Sequence, residues 1–287
     1  MTYRMVMAQH QVRPAADGDG VKLKRVFGGA NLETFDPFLM MDEFGSAEAD
    51  DYIGGFPAHP HRGFETITYM LQGRMEHQDH LGNRGLLTDG GVQWMTAGKG
   101  IIHSEMPKQT EGLMRGFQIW LNLPAKDKMQ IAHYEDVSPA QIPRLTTEQF
   151  TVKAIAGFAT VNDIAVQGYF SRGDTQPLLL DLQLEPEQQM VIAFPEGHRA
   201  LLYVYEGQAL LGSGGQGKLA RKGALSRLTD TGDLLVQNYD KTDCLQSIVL
   251  AGKPLGEPIV HFGPFVMNTP QEIEQAIMDY QCGRLTD

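Results

Sequence analysis

Two pairs of residues in the first half of the chain combine metal-ligating side chains with strand spacing. His59 and His61 flank one proline in HPHRGFETITY, and His103 and Glu105 flank one serine in GKGIIHSEMP. Residues i and i+2 of a β-strand point to the same face, so each pair would present both of its side chains together. On neighbouring strands, the two pairs would surround one cation with three imidazole nitrogens and one carboxylate oxygen.

This donor set favours a divalent transition metal. Imidazole suits zinc, copper, iron and nickel, and a carboxylate adds oxygen ligation and negative charge. Four protein ligands leave positions open on a five- or six-coordinate ion, so that a substrate or dioxygen can join. A purely structural zinc is usually closed by four ligands, with cysteine among them. Surface histidines are common without a metal, and the second pair with the same spacing is what favours a metal site.

The segments that carry these residues have the signature of short β-strands. Runs of about five to eight residues rich in Val, Ile, Leu, Phe and Tyr, such as ETITYMLQG and ALLYVYEGQALLG, alternate with turn residues along the chain. The clearest helix signal is TPQEIEQAIMDYQCG, where Thr269 and Glu272 form a capping box around Pro270. The sequence therefore predicts an all-β fold, a sandwich or barrel, with a short C-terminal helix.

The chain also shows weak internal similarity. YMLQG at Tyr69 is echoed by YVYEG at Tyr203, and DGGVQWM after Asp89 is echoed more loosely by TGDLLVQN after Thr231. The polar segment from Ala125 to Leu145 is the best candidate linker. We therefore expect a duplicated β-barrel, with an N-terminal domain over residues 1–135 and a C-terminal domain over residues 136–287.

Composition narrows the function classes. The 287 residues carry a formal net charge of −11, which disfavours direct binding of nucleic acid and gives no polybasic attachment to membranes. Two cysteines make no disulfide framework, the first residues lack the apolar core of a signal peptide, and no apolar run approaches the length of a bilayer span. We expect a soluble cytoplasmic protein, or a nuclear one if it is eukaryotic.

These motifs resemble the pirin family of the cupin superfamily. The resemblance covers nearly the whole chain and includes HPHRGFETITYMLQG, GVQWMTAGKGIIHSEMP, FDPFLMMDEF, WLNLPAKDKM and EPIVHFGPFVMNTPQEIEQAI. It implies a bicupin, in which two β-barrels of the jelly-roll type hold a single metal in the N-terminal barrel. The family's metal ligands map onto residues of matching type, namely His59, His61, His103 and Glu105.

Related cupins often take their acidic ligand from a position close to Glu65, and for that residue we expect a structural role or a role in orienting a ligand imidazole. The C-terminal barrel departs further from the pattern. It offers His198 alone, and no histidine stands near residue 245, where a second motif would be expected; Cys244 is there instead. We therefore expect the C-terminal barrel to lack a complete metal site.

The resemblance implies a dioxygenase of the quercetin 2,3-dioxygenase type. The substrate would be a flavonol or a related small enol or diol that reacts with O2, and Glu105 is the candidate base for the substrate hydroxyl. Family resemblance favours Fe(II), while Ni, Mn, Cu, Co and Zn suit the same ligands. An alternative is a metal-dependent regulatory protein that binds a transcription factor or a metabolic enzyme, with little or no catalysis. We expect a monomer, because a bicupin already contains an internal pair.

The remaining histidines are assigned less specific roles. His77 and His80 are three residues apart in a predicted hairpin, and we expect them in the loop or at the rim of the site. His261, in VHFGPF, is expected to pack or to form a hydrogen bond. Trp94 precedes the second ligand motif, and either stacks on a flat ligand or belongs to the barrel core.

Overall fold

A computed structural model describes residues 2–29 and 35–287, and within these ranges antiparallel β-strands dominate. The first thirteen strands are β1 (Val6–Gln11), β2 (Arg13–Asp17), β3 (Val21–Phe27), β4 (Phe38–Ser46), β5 (Phe56–His61), β6 (Phe64–Gln72), β7 (Met75–Asp79), β8 (Arg84–Leu87), β9 (Val92–Thr96), β10 (Ile101–Pro107), β11 (Met114–Asn122), β12 (His133–Val137) and β13 (Arg144–Thr146).

The chain continues with β14 (Phe150–Ala156), β15 (Phe158–Val161), β16 (Ile164–Gln167), β17 (Leu178–Leu184), β18 (Gln189–Ala193), β19 (Arg199–Glu206), β20 (Gln208–Leu211), β21 (Lys218–Arg221), β22 (Ala224–Leu228), β23 (Leu234–Asn238), β24 (Leu245–Gly252), β25 (Val260–Phe262), β26 (Phe265–Met267) and helix α1 (Pro270–Gln281). Short 3-10 helices span Ala49–Asp51, Ala125–Asp127 and Gly214–Gln216. The predicted all-β fold with one C-terminal helix is confirmed. In the described part of the chain, no helix has the length and hydropathy needed to cross a membrane.

The strands form two compact units. The N-terminal unit comprises Arg13–Pro139 and Leu255–Asp287, and the C-terminal unit comprises Met1–Val12 and Ala140–Pro254. This grouping differs from the division predicted between residues 135 and 136 at both chain ends. β1 pairs with β22, and Arg62 of the N-terminal unit contacts both Phe265 of β26 and Asp279 of α1. The predicted linker is partly ordered structure, since β12 joins a sheet of the N-terminal unit.

The N-terminal unit contains a seven-stranded sheet in the order β12-β9-β6-β11-β4-β3-β2 and a four-stranded sheet in the order β5-β10-β7-β8. Alternation along β6 divides its side chains between two faces. Met70 lies on one face, in an apolar cluster that also includes Phe44, Met75 and Met114. Because Thr68 is two residues away, it shares this face, and here the interior between the two sheets becomes polar.

The C-terminal unit contains a seven-stranded sheet in the order β1-β22-β19-β24-β17-β14-β13 and a six-stranded sheet in the order β16-β15-β18-β23-β20-β21. Both sheets contribute to one apolar core, in which Leu178, Leu180, Leu182 and Leu184 follow each other at strand spacing. Burial of this continuous apolar surface is the main stabilisation of the unit.

The strand orders show which strands of the two units correspond. Between its two neighbours, β6 occupies the same place as β19, so the similar segments that begin at Tyr69 and Tyr203 lie on equivalent strands. By the same comparison β10 corresponds to β23. The looser similarity is therefore out of register, because it aligned β9 with β23. The strand equivalent to the second ligand motif is β23, and not the region near residue 245 where the sequence placed it.

Two buried cations attach the C-terminal segment of the N-terminal unit to the loop after β5. Arg62 donates to Asp279 of α1 at 2.7 Å and to the carbonyl of Leu285 at 3.0 Å. The Lys128 ammonium donates to the carbonyls of Gly63 and Val266, at 2.7 and 3.1 Å, and also to the Asn122 side chain at 2.7 Å. Together, these contacts fix the segment after β5 and the β25–β26 hairpin.

Helix α1 begins as the sequence predicts. Thr269 is the N-cap, its hydroxyl accepts from the Glu272 backbone, and the Glu272 side chain accepts from the Thr269 backbone at 2.8 Å. Pro270 occupies the first helical position, where its missing N–H costs nothing. The buried face carries Ile273 and Ala276, which pack with Phe265 and Met267 of β26.

Candidate metal centre

Three imidazoles meet inside the N-terminal unit. His59, His61 and His103 each offer a ring nitrogen, and these nitrogens all lie within 4.8 Å of one another. The Nε2 atoms of His59 and His61 are 3.0 Å apart, and the ring centroids of His59 and His103 are 4.4 Å apart. His61 and His103 are almost fully buried. The arrangement presents three nitrogen ligands to one point.

Strand pairing produces this convergence. β5 runs antiparallel to β10, and His59 stands directly opposite His103, with His61 opposite Ile101. The pairing register shifts between His103 and Glu105, a local irregularity that changes the aim of neighbouring side chains. The two histidine-containing motifs therefore lie on adjacent strands, as the sequence analysis expected.

The buried histidines are kept neutral. Burial holds the pKa of His61 well below its ordinary value, and the neighbouring His59 lowers it further. Burial likewise holds the pKa of His103 well below its ordinary value, with further lowering by His61 and His59. Neutral imidazole is the form that binds metals, because a protonated ring has no free lone pair.

Hydrogen bonds indicate which ring nitrogens are free to bind. Nδ1 of His59 lies 2.7 Å from the carbonyl oxygen of Pro57, which can only accept, so this nitrogen carries the proton and Nε2 carries the lone pair. Nε2 of His103 is buried, and within residues 2–29 and 35–287 it has no hydrogen-bond partner. A buried polar atom without a partner is costly, and a metal ion at this point would satisfy it. The residues therefore fit a divalent metal.

Glu105 lies next to this group but outside the set of converging nitrogens. Its Oε1 accepts from the hydroxyl of Thr68 at 2.9 Å, and its Oε2 accepts from Nε2 of Gln118 at 2.8 Å. Among the described residues, the set of ligand atoms within 4.8 Å of one another comprises the three imidazoles only. The carboxylate is nevertheless buried two residues after His103 on β10.

Glu65 lies on the face of β6 that points away from the histidine cluster. It pairs across β6 and β9 with Thr96, whose hydroxyl donates to its carboxylate at 2.6 Å, whereas Thr68 faces Glu105. Because the two residues are three positions apart on one strand, their side chains point in opposite directions. Glu65 therefore does not orient the clustered imidazoles, and a structural role is the better interpretation.

His77 is a residue whose position the sequence analysis misjudged. It lies on β7, is 1% exposed, and its Nδ1 is 3.2 Å from Nδ1 of His103. The prediction that it belongs to the loop or rim is wrong, although the hairpin itself is present and His80 lies exposed in its turn. Alternation with the buried Met75 and Asp79 is the signal that pointed to burial.

A cavity of about 750 Å³ adjoins the histidine cluster. His59 and His61 line it together with Gln118 and the aromatic rings of Trp120 and Phe262. Its size and its mixture of apolar walls with a few polar groups are typical of small-molecule sites.

The hairpin of β25 and β26 contributes a part of this wall that the sequence did not predict. His261 lies against Trp120, with ring centroids 5.8 Å apart, and its Nε2 is 2.9 Å from the carbonyl oxygen of Gly263. The predicted packing and hydrogen bonding of His261 are confirmed, and its position at the cavity is new. Trp94 is buried on the face of β9 that carries Thr96, away from the face that Thr68 shares, so it does not stack on a ligand here.

The C-terminal unit has apolar side chains at the equivalent strands. Met190 and Ile192 of β18 face Val236 and Leu234 of β23, and all four are buried in the core. His198 is also buried, and its Nε2 lies 2.8 Å from the carbonyl oxygen of Gln176.

Comparisons with known proteins agree with this geometry. A protein from Pseudomonas aeruginosa, provisionally named as a quercetin 2,3-dioxygenase, is 54% identical over 284 residues, covering 99% of this chain and 98% of that protein. The crystal structure of a quercetin 2,3-dioxygenase from Acinetobacter baumannii has a TM-score of 0.88 and 31% identity, with 99% of each chain covered. The structure of the bacterial pirin YhhW from Escherichia coli in complex with nickel(II) shares the fold, with a TM-score of 0.62, 20% identity, and 86% of this chain and 98% of that chain covered.

Family profiles cover most of the sequence. The profile named Pirin matches residues 20–121, and the profile of the pirin C-terminal cupin domain matches residues 179–286. Each profile falls on a different half of the chain, as the two-barrel interpretation requires. This chain is a member of the pirin family and has its bicupin fold.

Proposed function

We propose that this protein is a metal-dependent dioxygenase that opens flavonols such as quercetin, or a related small enol or diol, with O2. The observation that carries the proposal is the convergence of three imidazoles beside a cavity large enough for such a molecule. The names of the similar Pseudomonas and Acinetobacter proteins point to the same reaction.

His59, His61 and His103 would hold the metal, with Glu105 as the fourth ligand. Glu105 would have to exchange or share its contacts with Thr68 and Gln118, and each carboxylate oxygen has a second lone pair for this purpose. Fe(II) is the metal we favour, and Ni, Mn, Cu, Co and Zn suit the same ligands. When bound, the ion supplies Lewis-acid and redox chemistry toward the substrate and dioxygen.

Glu105 would also accept the proton of the substrate hydroxyl. It is a buried carboxylate beside the histidines, and the donors Thr68 and Gln118 hold both of its oxygens in place. Such fixed geometry is what a general base requires, since proton transfer needs a short and aligned contact.

The cavity walls would bind the flat part of the substrate. Trp120 packs against Phe64 and His61, with ring centroids 4.4 and 5.4 Å apart, so its indole is held in one orientation. Phe262 adds a second ring at the exposed side of the cavity. Aromatic walls favour planar ligands and exclude water from the reacting centre.

The test is loss of flavonol absorbance in air by protein loaded with iron(II). We expect turnover by the wild type, loss of turnover in His61→Ala, and full turnover in His10→Ala, which removes an exposed histidine of the C-terminal unit. Glu105→Gln should retain the fold and lose most of the activity. A fully loaded wild type that leaves flavonols and similar diols unchanged would refute catalysis and favour the regulatory alternative.

A further inference from the structure

We propose that His77 is a positioning residue for the metal centre, which accepts a hydrogen bond from Nδ1 of His103 and so fixes the ring form that binds the metal. This inference rests on the proposed metal site. It goes beyond that site because it assigns a role to a residue outside the four ligands.

The contact is built into the strand pairing. β7 and β10 are antiparallel neighbours, with His77 opposite Glu105 and His103 opposite Asp79. The two Nδ1 atoms are 3.2 Å apart, and the ring centroids are separated by 4.9 Å. Both side chains are at most 2% exposed, so water does not compete for this hydrogen bond.

The direction of this hydrogen bond determines which nitrogen of His103 has a lone pair for a metal. A hydrogen bond between two Nδ1 atoms needs one donor and one acceptor, and a neutral imidazole carries a single N–H. If His103 donates, its Nε2 has a lone pair and can bind a metal. If His77 donates, the proton of His103 must sit on Nε2, where it blocks ligation. A metal at Nε2 therefore requires His77 to accept. The proton of His77 then lies on its own Nε2, which is buried and has no hydrogen-bond partner among the described residues.

The surroundings hold His77 in place for this task. Its ring lies against that of Tyr134, with centroids 4.9 Å apart, and β7 is flanked by β10 and β8. Among the described residues, the hydrogen-bond partner of Nδ1 of His103 is His77. Glu65 is on the face of β6 that points away from the cluster. Metal-bound histidines generally need an outer partner that fixes tautomer and ring orientation, and loss of that partner typically weakens metal affinity about 10- to 100-fold.

The first experiment compares metal affinity in three variants by competition with a chromophoric chelator, using zinc(II) and iron(II). His77→Leu removes the acceptor, and we expect affinity about 10- to 100-fold weaker than in the wild type. His77→Asn places an oxygen acceptor near the former Nδ1 and should restore most of the affinity. His80→Ala, an exposed histidine three residues away, should bind like the wild type.

The second experiment needs no variant. Nitrogen-15 NMR of histidine-labelled wild type loaded with zinc(II) reports which nitrogen of each ring carries hydrogen, and we expect Nδ1–H on His103. Nε2–H on His103, or equal affinity in folded His77→Leu and the wild type, would overturn the inference alone. Failure of the wild type to bind any metal would instead refute the proposed function on which the inference rests.

Discussion

Gln118 donates its side-chain N–H to Oε2 of Glu105 at 2.8 Å, and Gln118 itself lines the cavity beside the histidines. The carboxylate that we propose as the base is therefore connected to the cavity wall through a single hydrogen bond, which Gln118 donates. The other oxygen of Glu105 accepts from Thr68 on β6, the strand that pairs with the strand of Gln118. The pair of donors sets the orientation of Glu105 before any ligand enters.

Removing the Gln118 donor should loosen Glu105. In Gln118→Ala we expect metal affinity to fall about 10-fold, because outer partners of a ligand typically have effects of this size. Chelator competition measures the change. Gln78→Ala is the matched control, since Gln78 is exposed on β7, and it should leave affinity unchanged. Equal affinities of the two variants would show that Gln118 does not support the metal centre.

Lys128 gives the protein a specific pH dependence. Burial lowers the pKa of Lys128 from its ordinary 10.5 to about 8, with Glu257 and Glu272 opposing the shift. Below about 8 both folded and unfolded chains carry the charge, and the folded state bears the full cost of burying it. Between about 8 and 10.5 the unfolded chain binds the extra proton, so this group makes stability rise with pH.

Lys128→Met should remove that contribution. We expect the free energy of unfolding of the wild type to gain up to about 1.4 kcal/mol per pH unit relative to the variant within this window. Urea denaturation of both proteins from neutral pH to about pH 10 measures the difference, in which other titrating groups cancel. Parallel stability curves for the two proteins would contradict the assignment.

The ion pair between Arg62 and Asp279 should stabilise the N-terminal unit measurably. Arg62 is 4% exposed, and its guanidinium donates to the carboxylate at 2.7 Å. Asp279→Ala leaves this buried cation without its charged partner, and we expect a loss of about 1 to 3 kcal/mol. Glu274→Ala, an exposed acidic position on the same helix, should change stability by no more than about 0.5 kcal/mol. Calorimetric or denaturant unfolding of both variants decides the point.

Phe262 should affect the substrate and not the fold. Its side chain lines the cavity while remaining 62% exposed, so removing it costs little burial. In Phe262→Ala we expect an unchanged unfolding midpoint and metal affinity, with KM for the flavonol raised about 5- to 10-fold, equivalent to about 1 kcal/mol of lost contact. An unchanged KM would place the substrate away from the β25–β26 hairpin.

Much of the fold follows from local sequence signals. The strand runs and the capping box around Thr269 depend on neighbouring residues, and the structure reproduces both. The placement of the two chain ends did not follow from sequence. β1 pairs with β22 more than 150 residues away, and Asp279 of α1 binds Arg62, which lies 217 residues earlier in the chain. Pairing at such separation leaves no local pattern.

The histidine pairs were predictable because strand periodicity fixes the face of each side chain. The contribution of His77 was not, since its partner His103 lies on another strand and only the pairing of β7 with β10 brings them together. Likewise, His261 reaches the cavity through a hairpin that returns from the far end of the chain.

The most direct test of the account is the position of the metal in crystals grown from protein loaded with iron(II), located by anomalous diffraction. We predict one ion per chain, bound to Nε2 of His59, His61 and His103 at about 2.0 to 2.2 Å and to a carboxylate oxygen of Glu105. An ion bound elsewhere, or a cluster that binds none at saturating iron, would contradict the claim that these side chains form the reactive centre.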